Sequence, residues 1–445
     1  MMRKFWTSVI SASLALCILT GCGNTVSSEE AISDYSTEVS GDDGEVEEIT
    51  FMVWTDIDNS EDLTSRGYRE TIDRFNSDYE GRYRVRVVST ELDDYYSKLS
   101  NMISVGKAPD VFIISPGCHL DDYVEPGMVA KLDEYLADGW RDTFVSDSVF
   151  AGCRYDDGIY AVPLNIAAAC MFYNKKMFDD AGVSVPTTFD ELLAACQKLQ
   201  DKGYVPITAS GGTPWTIALI QGYLCDRSGF TIEDVTDHTV DWTDENLMKA
   251  GRQLQELSKY FQPTAATDTF EETIQDFVSG EAAIYIQGSW AIGVINGVGE
   301  GDFADNVGVA PFPNVKGSQA DTSRVMSKSD SLAMYSKTEH TEAAIELMKY
   351  FTDETAQKYM AEVGGKIPVI NVDYDESAAP PELSCVYDMI KNSKASFGFY
   401  DESLISTDAG NLFANCCVDI VKGKEPEEAF SPMQAFYTKY AWVEN

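Results

Sequence analysis

The stretch from Asp156 to Gly182 reads DDGIYAVPLNIAAACMFYNKKMFDDAG and carries three patterns in succession. It begins with an extended apolar run that ends at Pro163, since proline lacks an N–H and pushes the residue before it toward extended backbone. The small residues Ala167 to Ala169 and the pair Tyr173-Asn174 then predict a strand, after which a helix begins. We interpret the stretch as a crossing between two domains, and we expect a ligand site beside it.

The composition is that of a globular protein with an acidic surface. The chain has 445 residues, of which 44% are hydrophobic and 24% charged, and this length favours two or three domains. The formal net charge is −40, from 33 Lys and Arg against 73 Asp and Glu. It argues against binding of nucleic acid or an anionic bilayer, because both need clustered cations. The acidity favours solubility and permits a preference for cationic ligands.

The N-terminus carries a targeting signal. The basic pair Arg3-Lys4 precedes a mostly apolar run from Trp6 to Leu19, which is short for a bilayer span and typical of a removed signal peptide. The tetrapeptide LTGC at 19–22 resembles the lipobox of bacterial lipoproteins, whose cysteine becomes the lipidated first residue of the mature chain. We therefore expect a signal peptide over 1–21 and a diacylglyceryl anchor on Cys22, with two acyl chains for stable attachment.

The other cysteines and the histidines indicate no disulfide framework and no metal site. No pair of these cysteines has CxxC spacing, and a chain of this length folds without disulfides, so most are expected to be buried small hydrophobic residues. The histidines lie far apart in the sequence, and we expect no metal and no cofactor. These residues are Cys118, Cys153, Cys170, Cys196, Cys225, Cys385, Cys416, Cys417, His119, His238 and His340.

An acidic segment is followed by alternating strands and helices. Residues 22–48 contain nine acids and no Lys or Arg, which predicts a solvated tether. From Ile49 onward the pattern predicts strand, helix, strand, helix and strand, the third strand being the unbroken apolar run Val111 to Ile114. This order implies a parallel sheet covered by helices.

A second α/β unit and two more extended runs complete the chain. Capping boxes begin helices at Thr188 and Thr269, and later apolar runs end at Pro311 and Pro368, as the first run ends at Pro163. Three such crossings indicate that each domain is assembled from discontinuous segments. We expect an N-terminal lobe and a C-terminal lobe, composed respectively of 49–163 plus 307–366 and of 164–306 plus 367–445.

The order of these patterns resembles the family 1 extracellular solute-binding proteins, the carbohydrate-binding lipoproteins of ABC importers, which include maltodextrin-binding protein. Gly106 to Val111 looks like the family's segment before a buried strand, and Asp157 to Lys175 looks like its first crossing. Phe277 to Ala283, with Gly288-Ser289-Trp290, is similar to the segment that delivers a ligand-stacking tryptophan. The resemblance implies a two-lobed α/β fold of periplasmic-binding-protein type II, with ligand held between hinged lobes. Open α/β sheets in general bind ligands at the carboxyl ends of their strands.

Aromatic and polar residues near predicted strand ends are candidates for binding a sugar. Sugars present C–H patches to aromatic rings and hydroxyls to polar groups. Trp290 matches the family's binding position, but Trp290, like the other candidates, has a plain alternative as a loop or core residue. The candidates are Trp290, Trp215, Asp56, Asp58, Thr55, Ser115, Asn165, Gly288, Tyr400 and Asp401.

We expect a non-catalytic, monomeric receptor that captures an oligosaccharide or related sugar and delivers it to the permease subunits of an ABC importer. It would stand outside the cytoplasm, attached to the cell membrane only through its lipid. The same fold binding a polyamine or other cationic solute remains open. A secreted glycan-cleaving enzyme is less favoured, since 73 acids make a carboxylate pair unspecific. Ile114-Ser115-Pro116-Gly117 replaces the aromatic and aspartate of maltodextrin-binding relatives and disfavours a maltodextrin.

Overall fold

The computed structural model describes the chain from residue 46 to residue 440, apart from short gaps. The expected signal peptide, Cys22 and nearly all of the expected tether lie outside the described residues. The first strand begins at Glu47, so Glu47 and Glu48, which we assigned to the tether, belong to a sheet. No helix in the described part is both long and apolar enough to cross a membrane. The described ranges are 46–58, 61–236, 241–298, 303–316 and 324–440.

Strands and helices of the described residues are numbered here in chain order. The strands are β1 (Glu47–Val53), β2 (Tyr83–Ser89), β3 (Val111–Ile114), β4 (Arg154–Tyr155), β5 (Gly158–Ile159), β6 (Val162–Pro163), β7 (Ala167–Asn174), β8 (Val205–Thr208), β9 (Ala282–Gly288), β10 (Val307–Ala310), β11 (Val325–Lys328), β12 (Ser331–Met334) and β13 (Ser396–Phe397). The helices are α1 (Leu63–Asp78), α2 (Leu92–Ser104), α3 (Cys118–Val124), α4 (Asp133–Leu136), α5 (Lys175–Ala181), α6 (Phe189–Asp201), α7 (Trp215–Ser228), α8 (Ile232–Thr236), α9 (Glu245–Leu257), α10 (Phe270–Val278), α11 (Ala291–Val298), α12 (Thr341–Phe351), α13 (Glu354–Glu362), α14 (Pro381–Asn392), α15 (Thr407–Val421), α16 (Pro426–Ala429) and α17 (Ser431–Tyr440).

The N-terminal lobe is built on a sheet with strand order β2-β1-β3-β12-β6. Strands β1, β2 and β3 are parallel, as the alternation of strands and helices predicts, whereas β12 and β6 run antiparallel to their neighbours. The apolar faces of α1, α2 and α12 pack into the same core, with Phe75, Leu99 and Leu347 fully buried. The carboxyl ends of β1 and β3 therefore open on one edge of this lobe.

The C-terminal lobe is built on a sheet with strand order β13-β11-β7-β9-β8, and β10 also pairs with β7. Strand β7 lies at the centre and is buried from Ala167 to Phe172. Helix α7 is buried along nearly its whole length, because it is apolar on most sides and packs against α9 and α15. The strand predicted on the far side of the first crossing is thus the central strand of this lobe.

The second crossing was predicted in the wrong place. We expected it at Val307 to Pro311, but that segment is β10, which pairs antiparallel with β7 and belongs to the C-terminal lobe. Among the described residues, the chain passes to the N-terminal lobe between Lys328 at the end of β11 and Ser331 at the start of β12. Proline marks extended backbone in both situations, so Pro311 could not distinguish a strand end from a crossing.

The third crossing also lies later than predicted. Ile370 bridges Phe144 in the N-terminal lobe, so the boundary that we placed after 366 is wrong by several residues. The first and third crossings are neighbours, since the N–H of Ile166 donates to the carbonyl of Ile367 at 2.9 Å. The first and second are neighbours too, through the N–H of Leu164 and the carbonyl of Asp330 at 2.7 Å. The base of the cleft is therefore a set of extended segments joined by hydrogen bonds.

The eight described cysteines are all free thiols. Seven are buried and Cys385 is exposed, so the expectation that most are buried small residues is confirmed. Burial raises the pKa of each buried thiol, which keeps them protonated at neutral pH.

Candidate functional site

A cleft of about 880 Å³ lies between the two lobes, above the crossings. Residues that follow β1, β3 and β9 line it, as expected for the carboxyl ends of strands in open α/β sheets. Six of the ten candidates line this cleft, and they come from both lobes. These six are Thr55, Asp56, Ser115, Trp215, Trp290 and Asp401.

Three aromatic rings of the C-terminal lobe form one side, which we call the aromatic wall (Trp215, Phe270 and Trp290). Trp215 and Phe270 are the first residues of α7 and α10, and Trp290 directly precedes α11. The Trp215 ring centroid lies 5.7 Å from that of Trp290, at 63° between planes, and 5.9 Å from that of Phe270. All three rings are half-buried, so they present flat apolar surface to the cleft.

Gly288 supports this wall from behind rather than lining the cleft. It is fully buried at the end of β9, and a Cβ at this position would lie 2.2 Å from the Trp290 ring. Only glycine therefore allows the indole to fold back over the strand end. The Trp290 ring covers Gly288, which therefore does not itself line the cleft.

The loop after β1 forms part of the opposite side. The Thr55 and Ser65 hydroxyls are hydrogen-bonded at 2.9 Å, and Asp56 accepts a hydrogen bond from the N–H of Asp58 at 3.0 Å. Asp58, the other carboxylate among the candidates on this loop, does not line the cleft. Strand β1 ends at Val53, so the alternation does not continue, and the exposed Asp58 carboxylate pairs with Arg69 outside the cleft.

The segment after β3 completes this side, which we call the polar wall (Thr55, Asp56, Tyr96, Ser115 and His119). The N–H of Ser115 donates to the Tyr96 hydroxyl at 3.0 Å, and the Tyr96 ring stacks on His119 at 4.4 Å. Burial, with a contribution from Lys328, lowers the pKa of His119 to about 4. The imidazole is therefore neutral at physiological pH and presents a flat, uncharged surface.

Lys328 occupies the base of the cleft, where the crossings meet. Its ammonium lies 2.7 Å from Glu402 Oε1, 3.3 Å from Ser115 Oγ and 3.8 Å from Asp330 Oδ1. It also stands 5.5 Å from the centroid of the Trp290 ring, within cation–π distance. Burial alone would lower the pKa of Lys328, but the carboxylates of Glu402 and Asp330 outweigh burial and raise it. Lys328 therefore remains charged and joins both lobes to the second crossing.

Four further charged residues surround Lys328, and we call the five together the charged floor (Lys328, Asp330, Lys366, Asp401 and Glu402). Asp401 is 9% exposed, and no hydrogen-bond partner for its Oδ1 exists among the described residues. Burial and then the neighbouring Glu402 raise the pKa of Asp401 to about 7. Burial raises the pKa of Glu402. Burial lowers the pKa of Lys366, and the nearby charge of Asp330 offsets part of that decrease.

Two more candidates lie behind the cleft surface. Asn165, on the first crossing, is buried, and its amide donates to Asp330 Oδ2 at 3.4 Å. Tyr400 lies in the interior of the C-terminal lobe, where its hydroxyl donates to the carbonyl of Phe230 at 2.6 Å. Neither residue lines the cleft, since Asn165 supports the charged floor from behind and Tyr400 is 1% exposed.

Several lining residues escaped the sequence analysis. Lys328 and Asp330 flank the true second crossing, which the polar run SKSD before the apolar strand β12 could have indicated. Glu402 directly follows Asp401 and could have been included with it. Tyr96 and His119 lie on helices, where no pattern separates a cleft residue from a core residue.

Two α/β lobes, joined by extended crossings around a cleft with one aromatic and one polar wall, form an architecture that can enclose a small solute. The chain belongs to the bacterial extracellular solute-binding protein family, whose family model matches residues 61–358. The resemblance found in the sequence is thereby confirmed. The family and the relatives that it brings together are described as binding proteins and not as enzymes.

Two named relatives share part of the sequence. The maltotriose-binding protein of Pyrococcus abyssi is 28% identical over 323 residues, which are 71% of this chain and 64% of that protein. The xylose/arabinose-binding protein of Haloferax volcanii is 26% identical over 287 residues, 63% of this chain and 60% of that protein. The matches thus span somewhat less than two thirds of the length of these two relatives.

Solved structures confirm the fold. A structure from work on xylan utilisation by the thermophilic bacterium Caldanaerobius polysaccharolyticus superposes with a TM-score of 0.81 at 24% identity, covering 87% of this chain and 99% of that one. A chitin oligosaccharide binding protein gives 0.80 at 22% identity, covering 88% and 98%. The expected α/β fold of two lobes, of type II, is confirmed.

Proposed function

We propose that this protein is the sugar receptor of an ABC importer, which holds an oligosaccharide or related sugar in the cleft and delivers it to the membrane permease. The observation that carries the proposal is the aromatic wall facing the polar wall. Trp215 and Trp290 offer two ring planes inclined at 63°, against which sugar C–H faces can stack. Thr55, Asp56 and Ser115 offer hydroxyl and carboxylate groups to sugar hydroxyls across the cleft.

Ligand binding would couple the lobes through contacts beside the charged floor. The N–H of Cys118 at the start of α3 donates to the carbonyl of Glu402 at 3.0 Å, and the N–H of Thr407 donates to Asp122 at 3.2 Å. These bonds join the N-terminal lobe to the C-terminal lobe. A sugar that touches both walls binds the closed form more tightly than an open form, and it therefore shifts the population toward closure.

The relatives support a sugar as the ligand. The names of two of them specify maltotriose and the pentoses xylose and arabinose. Catalytic activity forms no part of the proposal. Incubation with glycans followed by product analysis tests this point, since turnover of a glycan would show that the protein is an enzyme.

The proposal includes a lipid anchor outside the cytoplasm. LTGC at 19–22 supports lipidation of Cys22 after removal of residues 1–21, with the acidic segment as tether and the receptor acting as a monomer. Radiolabelled palmitate incorporated by expressing cells should appear in the protein and disappear in Cys22→Ser. Label retained by the variant would overturn the anchor, and sedimentation of the soluble part would show whether it is monomeric.

A thermal-shift screen against oligosaccharides and monosaccharides tests the ligand class. A sugar that binds only the native state at a hundred times its Kd adds about 2.7 kcal/mol of stability and raises the melting temperature. Spermidine is included because the cleft is rich in carboxylates. A shift with spermidine and with no sugar would replace the sugar receptor by a polyamine receptor, the second candidate.

A further inference from the structure

The cleft is lined by far more acidic than basic side chains. Among the described residues, eight carboxylates and two lysines line it, and His119 is neutral there. The carboxylates are Asp56, Glu61, Asp62, Glu91, Glu271, Asp330, Asp401 and Glu402, and the lysines are Lys328 and Lys366. Walls of low dielectric concentrate such a field, so the cleft attracts cations and repels anions more strongly than the surface does.

Lys328 is paired with carboxylates of the cleft, and Lys366 lies among them. Lys328 forms its ion pairs with Glu402 and Asp330 at 2.7 and 3.8 Å. Lys366 is buried, and the negative charges of Asp330 and Asp62 raise its pKa against the effect of burial. The lysines therefore offset part of the negative charge and leave the cleft with an excess of carboxylates.

Asp401 is a second and independent indication. It lines the cleft, it is nine-tenths buried, and its Oδ1 has no hydrogen-bond partner among the described residues. No lysine or arginine of those residues lies within ion-pair distance of its carboxylate. The neighbouring backbone is fixed, because the carbonyl of Glu402 accepts from Cys118 and the Asp401 carbonyl packs against Gly410. A buried acceptor left without a donor is costly, and a ligand that supplies a donor removes that cost.

We infer that the sugar taken by this cleft carries a free amine, and that Asp401 with the surrounding carboxylates selects it. The inference rests on the proposed function. The ligand ammonium would lie near the charged floor, where a charge-assisted hydrogen bond is worth more than the bond of a neutral hydroxyl. The same field excludes sugars that carry carboxylates or sulfates.

The aromatic wall favours an amino sugar over a linear polyamine. Trp215 and Trp290 form a corner of two inclined planes, and a pyranose ring presents a flat C–H face to each plane in turn. A flexible polyamine has no such face and loses more conformational freedom when it is bound. The ligand class is thus set jointly by ring shape and by charge.

Calorimetric titration of the full mature chain with matched sugars tests the inference. The neutral and amine-bearing pairs are glucose and glucosamine, galactose and galactosamine, mannose and mannosamine, and cellotriose and the chitosan trimer; cellotriuronic acid and spermidine complete the set. We expect at least one amino sugar to bind about tenfold more tightly than its neutral partner, equivalent to a single favourable charge contact. We also expect the uronic acid to be the weakest trisaccharide.

Variants assign the preference to the cleft. Asp401→Asn should abolish most of the tenfold preference, and Glu271→Gln, at the exposed start of α10, should reduce it in a protein whose folding is unaffected. Asp157→Asn removes the same charge from a carboxylate that is 99% exposed and outside the cleft, and it should leave the preference intact. Raising the salt concentration should weaken the preference, as screening requires.

The outcomes separate this inference from the proposed function. Tight binding of a neutral sugar without any gain from an amine overturns the inference and leaves the receptor proposal standing. If none of the sugars binds, both the inference and the receptor proposal are overturned. If spermidine binds more tightly than every amino sugar, the ligand class of the site is polyamines and the inference is overturned. An unchanged preference in both Asp401→Asn and Glu271→Gln also overturns it.

Discussion

The aromatic wall and the charged floor of the cleft are built in opposite ways. The wall comes from one lobe, and each of its rings stands at or just before a helix start, where local packing orients it. The floor gathers Lys328, Asp330, Lys366, Asp401 and Glu402 from three separate segments, two of them at or near crossings. The comparison teaches that the wall can change without disturbing the fold, whereas the floor contributes to the fold itself. Four substitutions test this division.

The largest effect is expected at the floor, from Lys328→Met. Methionine keeps an apolar stem beside Trp290 but removes the charge that Glu402 and Asp330 share. Breaking a buried ion pair by removing one partner typically costs about 3–5 kcal/mol, because the other charges stay buried. We expect a loss of that size in the free energy of unfolding, measured in urea at pH 7, and a smaller loss at acidic pH.

The control for this substitution is Lys131→Met. Lys131 and its partner Asp157 are 47% and 99% exposed, so their pairing contributes about 1 kcal/mol or less. Equal losses in the two variants would show that the floor is no more than a surface ion pair.

The wall is tested by Trp290→Ala. Removing a half-buried aromatic anchor should weaken binding of the sugar identified by the screen by about 1–3 kcal/mol, while the unfolding transition stays cooperative. Calorimetry gives the affinity and urea unfolding gives the stability. Tyr387→Ala, an aromatic truncation 48% exposed and outside the cleft, serves as the control. Unchanged affinity would remove Trp290 from the site.

The same division explains what the sequence could predict. Trp290 and Trp215 were found because glycine-containing segments and helix starts beside strands are local patterns. The two-lobed α/β fold was also predictable, since alternating strands and helices and extended apolar runs are local features. These features depend on neighbours within a few residues of the sequence.

The floor was not predictable, because it depends on which segments become neighbours in space. Lys328 and Glu402 are 74 residues apart in sequence, and β11 brings them together only after it pairs with β7. Because the second crossing was predicted at Pro311, Lys328 and Asp330 were not recognised as residues beside a crossing. Tyr400 lies behind the cleft for a similar reason, since the packing of α7 and α15 decides which of two adjacent side chains faces the cleft.

A pH dependence isolates one member of the floor. Burial and Glu402 raise the pKa of Asp401 to about 7 from an ordinary 3.8. Between about pH 4 and pH 7 the unfolded chain loses this proton first, so the stability that depends on Asp401 falls as pH rises. Asp401→Asn should therefore lose less stability than the wild type between these pH values, because the variant has no such proton to lose.

The groups that face Asp401 determine which charges can contribute to this pH dependence. Glu402 on the same loop and Lys328 on β11 carry charge, whereas the thiols of Cys118 on α3 and Cys417 on α15 are kept neutral by burial. Urea unfolding at several pH values measures the effect, with the exposed Asp157→Asn as control. Parallel curves for wild type and Asp401→Asn would contradict the raised pKa.

The smallest effect on stability is expected at the hinge, from Pro163→Gly. Pro163 ends β6 opposite Ser331, where the first and second crossings lie side by side. Glycine gives the unfolded chain more freedom and should cost about 0.4–1 kcal/mol of stability. Pro186→Gly, at a buried proline in the loop between α5 and α6, should cost as much without touching a crossing. The two variants should differ in closure, because a more flexible first crossing populates open forms. Scattering should therefore show a larger radius of gyration without ligand, and greater compaction on binding, only in Pro163→Gly. The same compaction as wild type would mean that the hydrogen bonds between crossings, and not the proline, set the hinge.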